Sequence, residues 1–240
     1  MKELIVGQII KGEDLENFTL CKILSNNLKM NDFKYKIGEN IDIHNICSFN
    51  KFGLYFCKLE HIHLYLNFGT KIAFLKVPKD EFVYVEYKKF KTHKLIVEKI
   101  FDLKNIVTWK YLLKKGLDLN KEEIINYLSY NGFLNILKFL NDNNLIDLSL
   151  YFENILEFSI ISNHIDILKY LVKNGCQLNI KNDFAIKNAC KLGFLNIVKF
   201  LYEHKVDICV NNNEPLLNAF FYNHNEVVDY LLKNGAMFPI

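Results

Sequence analysis

Four nine-residue segments recur through the second half of the chain at almost constant spacing, and no other feature constrains the fold as tightly. They are Gly132-Phe-Leu-Asn-Ile-Leu-Lys-Phe-Leu140, Asn163-His-Ile-Asp-Ile-Leu-Lys-Tyr-Leu171, Gly193-Phe-Leu-Asn-Ile-Val-Lys-Phe-Leu201 and Asn223-His-Asn-Glu-Val-Val-Asp-Tyr-Leu231. Their closing leucines lie 31, 30 and 30 residues apart. A period of this size marks a stacked-repeat architecture in which each unit is one supersecondary element. A weaker copy comes first: Lys110–Asn120 matches Lys169–Asn179 at seven of eleven positions.

The physics of one unit can be read from the second copy. Ile165, Leu168, Leu171 and Val172 recur at helical spacing, and Ile155, Leu156, Ser159 and Ile160 make a shorter stripe before them. Asn163, or Gly193 in the next copy, supplies the tight turn between the two helices. Gly116, Gly175 and Gly235 follow the last apolar pair, where a helix ends in a left-handed residue. A helix pair this short cannot bury its apolar face alone, so stacking must complete the core.

These residues resemble the ankyrin family. Glu214-Pro215-Leu216-Leu217-Asn218-Ala219 is similar to the family's Thr-Pro-Leu-His-x-Ala opening, with Pro215 suited to a first helical turn. Asn223 through Ala236 is similar to the rest of that repeat. His164 and His224 occupy its turn-histidine position, and Cys190, beside the small-residue position Ala189, reads as core. The Thr and His of the opening are absent, and Asn144 and Lys205 replace the terminal glycine in two copies. The connecting hairpins are therefore expected to shorten to plain loops. The fold class expected is mainly α: a helix-pair solenoid of four to five repeats over 101–240, preceded by a small α+β module over 1–100. The repeats would be a partial one at 103–120, then 121–150, 151–181, 182–211 and 212–240.

The resemblance implies protein recognition on the hairpin side and the first helix of each pair. That selects Asn182, Asp183, Asn212 and Asn213 in the loops, with Lys187, Lys191 and Tyr222 on or near the first helices. Aromatic and charged residues there would anchor a protein partner. The chain is expected to be a monomer, with no cofactor and no catalytic role. No phosphate-binding glycine loop, Ser-His-Asp spacing or HExxH motif is present.

The first hundred residues have another texture. Phe33–Ile37, Gly53–Cys57, Lys71–Val77, Glu81–Glu86 with Tyr87, and His93–Glu98 read as strands, with a turn at Pro78-Lys79-Asp80. Lys58–Asn67 reads as one helix ended by Gly69. The module would join the repeats near Asp102 to Asn105 without a flexible linker. Gly53-Leu54-Tyr55-Phe56-Cys57 and Val77-Pro78, ahead of ankyrin-like repeats in an Asn-, Lys- and Ile-rich chain, resemble the ankyrin repeat proteins of giant amoeba-infecting DNA viruses. That resemblance implies action on host proteins in the host cytoplasm.

Two sharper readings attach to this module. His44, Cys47, Cys57, His61 and His63 are the ligand types of a zinc site, but there is no Cys-x2-Cys, and Gly53–Cys57 reads equally well as a buried strand. Gly53-Leu54-Tyr55-Phe56 before a helix is similar to the strand-helix element of ADP-ribosyltransferases, where the tyrosine stacks on nicotinamide. In that family an upstream His-Gly binds ribose and a late Glu promotes transfer; here His44 is followed by Asn45, and Glu81 or Glu86 would have to serve. The alternatives to a binding module are thus such an enzyme, or its inactive relative, with the repeats as a targeting arm, and a two-ended adaptor.

Composition narrows the remaining classes. Thirty basic against 27 acidic residues leave a net charge of +3, which gives no electrostatic case for nucleic acid or an anionic membrane. No stretch approaches a transmembrane helix, and the N-terminus lacks the pattern of a secretory signal. The six cysteines, Cys21, Cys47, Cys57, Cys176, Cys190 and Cys209, show no disulfide-framework spacing, so reduced thiols and a cytoplasmic setting are expected.

Overall fold

The computed structural model describes residues 4–30, 33–44 and 53–239. It divides into two compact units, residues 1–123 and 124–240.

In the first unit the strands are β1 (Ile9–Lys11), β2 (Leu20–Leu24), β3 (Lys29–Met30), β4 (Phe33–Lys34), β5 (Gly38–Ile41), β6 (Leu54–Lys58), β7 (Lys71–Lys76), β8 (Phe82–Glu86), β9 (Lys89–Thr92) and β10 (Lys94–Asp102). Eight of them form one antiparallel sheet in the order β1-β8-β9-β6-β2-β7-β10-β5, and β3 and β4 pair separately as a short hairpin. Val83, Val85, Phe90, Leu54, Phe56, Leu20, Leu24, Leu75, Leu95 and Val97 alternate along the strands to fill one core. The only regular helix expected here is instead a 3-10 helix, Leu59–Phe68. Its buried residues Leu59, Ile62 and Leu66 sit three and four apart, a spacing that serves either helix type. The module is therefore mostly β, not the small α+β fold expected.

Helix α1 (Ile106–Lys114) follows β10 and belongs to this first unit. The Asn105 side chain caps it by accepting from the Val107 amide. Trp109 is buried, and its Nε1 donates to the Leu103 carbonyl at 2.8 Å. Tyr111 packs edge-on to Phe74 of β7, with centroids 5.1 Å apart, and lies 4.9 Å from Phe101 of β10.

The second unit is made of helix pairs: α2 (Glu122–Tyr130) with α3 (Leu134–Asp142), α4 (Phe152–Ile161) with α5 (Ile165–Lys173), α6 (Ile180–Lys191) with α7 (Leu195–Glu203), and α8 (Val210–Phe221) with α9 (Asn225–Lys233). In α5 the fully buried stripe is Ile167, Leu168 and Leu171; Ile165 and Val172, expected in it, are only half-buried. Four positions 30 residues apart, Ser129, Ser159, Ala189 and Ala219, are completely buried, and their small side chains leave room for α4, α6 and α8 to lie against one another. The Ser129 hydroxyl donates to the Ile125 carbonyl at 2.7 Å, whereas the Ser159 hydroxyl has no partner among the described residues.

No strand lies between the repeats among the described residues. In place of hairpins, Asn182 and Asp183 (φ 54° and 57°) and Asn211, Asn212 and Asn213 (φ 50°, 56° and 63°) make left-handed turns. Asn and Asp are the side chains that enter this region at least cost. The regular part of α8 begins only after Asn213, so Pro215 falls in its first turn, where a missing amide costs nothing. Asn144 and Lys205, which replace the repeat's terminal glycine, keep its left-handed conformation at φ 52° and 63°.

Candidate partner-binding face

The first helices α6 and α8 pack side by side, which sets their outward residues in two parallel rows. Lys187 and Lys191 are one helical turn apart on α6, so both point the same way. With Phe184, Asn188, Glu214 and Asn218 they line a shallow groove of about 270 Å³. Lys187 Nζ stands 3.5 Å from Glu214 Oε2, and that oxygen also accepts from Asn211 Nδ2 at 2.9 Å. Lys191 Nζ lies 5.3 Å from the centre of the exposed Tyr222 ring. The groove thus combines two cations, one carboxylate, amides and an aromatic ring, carried on helices whose opposite sides are sealed in the core.

The groove is held in register by a histidine. His224 Nε2 donates to the Lys191 carbonyl at 2.9 Å, which ties the start of α9 to the end of α6. Its ring rests on Gly193, where a Cβ would come within 2.4 Å of His224 Nδ1. His164 repeats the arrangement one pair earlier, on the Tyr130 carbonyl at 2.9 Å and over Gly132. The turn histidines therefore join neighbouring repeats, and Gly132 and Gly193 leave the space their rings need.

The structure brings Lys187, Lys191 and Tyr222 together. Asp183 instead borders a separate cavity beside His204 and Asp207. Asn182 and Asn212 are exposed at the tips of the left-handed turns. Asn213 is engaged by its own chain, its Oδ1 accepting from the Met237 amide at 3.2 Å. Glu214 and Asn218, not singled out in the sequence as partner-binding, complete the groove. The signal for them was the spacing of 27 residues that sets Lys187 beside Glu214, roughly one repeat.

In the first unit, Cys47 and Asn45 lie outside the described residues. Cys57 is buried, and its thiol donates to the Cys21 carbonyl at 3.7 Å. His44 is held by Asp42, Nδ1 to Oδ1 at 2.7 Å, while His61 lies 3.5 Å from Glu60 on the 3-10 helix. Although burial works the other way, hydrogen bonds from His44 and the Gly53 amide keep the Asp42 carboxyl below its usual range. No three His, Cys, Asp or Glu side chains among the described residues are placed to share a metal ion. Tyr55 faces Lys89 and Lys91, at 4.6 and 5.5 Å from its ring, and Glu86 pairs with both lysines at 3.0 and 3.5 Å. Glu81 serves through its backbone, which bonds Pro78 and Gly12. Among the described residues no helix is long and apolar enough to cross a membrane.

Residues 180–239 match the profile of the family described as ankyrin repeats (3 copies). Among individual relatives, a protein of Acanthamoeba polyphaga mimivirus named ankyrin repeat protein L72 is 29% identical over 210 residues, covering 75% of this chain and 54% of that protein. Another from the same virus, named ankyrin repeat protein R868, is 28% identical and covers 56% of this chain and 69% of that protein. The uncharacterized protein R869 of that virus is 34% identical over 43% of this chain and 83% of its own length. The chain spans about half the length of the first of these relatives.

Proposed function

The chain belongs to the ankyrin repeat proteins, and from that premise we propose that it is a binding module, not a catalyst, whose repeat unit holds a partner protein in the groove between α6 and α8. The observation that carries this reading is the convergence of Lys187, Lys191 and Glu214 on one open groove, with the exposed Tyr222 ring against Lys191. Burial of the opposite helix sides fixes the scaffold, so these outward residues are free to be chosen for recognition. Arg- and Tyr-type anchors dominate binding energy at such surfaces, and a Lys–Tyr pair offers the same combination of charge and flat apolar area. The likeness to mimivirus proteins supports a partner from the host cell, met in its cytoplasm.

The test is affinity capture from amoebal lysate with the full chain, run in parallel with a K187E/K191E/Y222A variant and with K199E on α7 as a control. The reading expects a defined protein that the wild type and K199E retain and the triple variant loses. Equal retention by all three, or no protein held above background, contradicts it.

A further inference from the structure

A further cavity, of about 360 Å³, lies in the β-rich unit, and the reason for it is visible in the strand register. β2 and β6 share only two pairs, Leu20 with Lys58 and Cys21 with Cys57. Beyond them β2 continues along β7 as far as Leu24, while β6 turns away and pairs Leu54, Tyr55 and Phe56 with β9. The sheet forks, and the cavity occupies the fork. Its size falls in the lower part of the range for small-molecule sites, about 300–1,000 Å³.

Lys22 projects into this space from the middle of β2. Only 5% of it is exposed. Its ammonium donates to the Tyr55 carbonyl at 2.6 Å, contacts Met30 Sδ at 3.1 Å and lies 4.8 Å from the Tyr35 ring centre. All three partners are neutral, and no carboxylate among the described residues pairs with it. A buried cation left without a counter-ion is costly. Burial pushes its pKa down to about 7; the neighbouring Cys57 sulfur works against this shift and Lys89 adds to it. Two further lysines, Lys29 and Lys89, border the cavity, and Met30, Phe56, Tyr65 and Phe68 give it apolar walls. Phe68 is 57% exposed, an uncovered aromatic at the edge of the space. A buried, perturbed ionisable group in an apolar cleft is the usual mark of a ligand site.

We propose that this cavity binds a small amphipathic anion, its acidic head on Lys22 and its flat apolar body against Met30, Tyr65 and Phe68. The ligand supplies the negative charge that no carboxylate among the described residues places beside Lys22. The alternative is a purely structural lysine that plugs the Tyr55 carbonyl at the fork.

The probe is 8-anilinonaphthalene-1-sulfonate, titrated into the full chain by fluorescence and by calorimetry, with neutral N-phenyl-1-naphthylamine as the uncharged counterpart. The proposal expects one saturable site for the sulfonate. K22M weakens it by about tenfold or more, as befits loss of a charge-assisted hydrogen bond, and leaves the neutral probe unchanged. F68S, at an exposed position, weakens both. The groups facing Lys22 are Lys29 of β3, Tyr35, Tyr55 and Cys57 of β6, and Lys89 of β9. Lys22 is increasingly neutral above about pH 7, so wild-type binding at about pH 8 takes up a measurable fraction of a proton, set by how far the anion raises Lys22; at about pH 6 it takes up close to none. A structural lysine predicts neither the uptake nor the selectivity for the charged probe. Absence of saturable binding, equal affinity for the two probes, or no proton uptake at the higher pH overturns the proposal, and the uptake measurement needs no variant to fold.

Discussion

Replacing Gly193 by alanine tests the inter-repeat joint at one atom. Two costs are separable. Gly193 has φ +74°, a left-handed value that costs an alanine about 1–2 kcal/mol. The added Cβ would also stand 2.4 Å from His224 Nδ1 and 2.7 Å from Cε1 and Cγ, so the ring must leave. Leaving forfeits the Nε2 bond to the Lys191 carbonyl, worth about 1 kcal/mol, together with the ring's packing. The total comes to roughly 2–4 kcal/mol. Gly175 is the matched control: its φ is +89° and nothing lies within 4 Å of a Cβ there, so G175A carries the backbone cost alone. Urea unfolding of the full chain, followed by far-UV circular dichroism, reads the difference. G193A should exceed G175A by about 1–2 kcal/mol, and in an H224A background that excess should vanish. If G193A costs no more than G175A, or costs as much with His224 removed as with it present, the histidine is not the joint.

Three further outcomes follow from single features of the structure. Because burial lowers Lys22 to about 7, between that pH and about 10.5 the unfolded chain binds the extra proton, so wild-type stability rises with pH through this window and is not regained below it. The advantage of K22M should therefore be largest near neutral pH and shrink by roughly 1.4 kcal/mol per pH unit toward pH 10; a constant gap would show that Lys22 is not neutralised by folding. S159A should leave stability unchanged or raise it by about 1 kcal/mol, since its buried hydroxyl has no partner, while S129A should lower it by a similar amount through loss of the Ile125 bond; melting temperatures of the two variants decide. Of the five described thiols, Cys209 should react first with an aqueous disulfide reagent under native conditions, because Cys21, Cys57, Cys176 and Cys190 are buried and burial pushes Cys190 up to about 12 and Cys176 up to about 11; peptide mapping in which Cys190 leads would refute this.

How legible each part of the fold was depended on whether its pattern is local. The helix pairs could be read because their apolar residues recur within a turn and the turns recur every 30 or so residues. Even there, Ile167 rather than Ile165 enters the core, a difference of half a helix turn that the nonamer alone does not resolve. In the first unit β2 was missed because Lys22 interrupts Leu20-Cys21-Lys22-Ile23-Leu24, and a charged residue at the centre of a fully buried strand runs against alternation. β5 and β9 were missed for a related reason: Gly38-Glu39-Asn40-Ile41 and Lys89-Phe90-Lys91-Thr92 are short and polar, and the partners that make them strands lie elsewhere in the sequence. On the candidate face, Lys187 and Lys191 could be found because the resemblance to ankyrin repeats puts them on a first helix. The engagement of Asn213 by Met237 could not, because it joins residues 24 apart at the two ends of the α8–α9 pair.

The central claim is that the groove between α6 and α8 holds the partner, and amide hydrogen exchange on the full chain, with and without the captured protein, tests it most directly. The account predicts new protection over residues 184–191 and 214–222, with α7 and α9 exchanging as before. Protection confined to other segments, with those two unchanged, would contradict it.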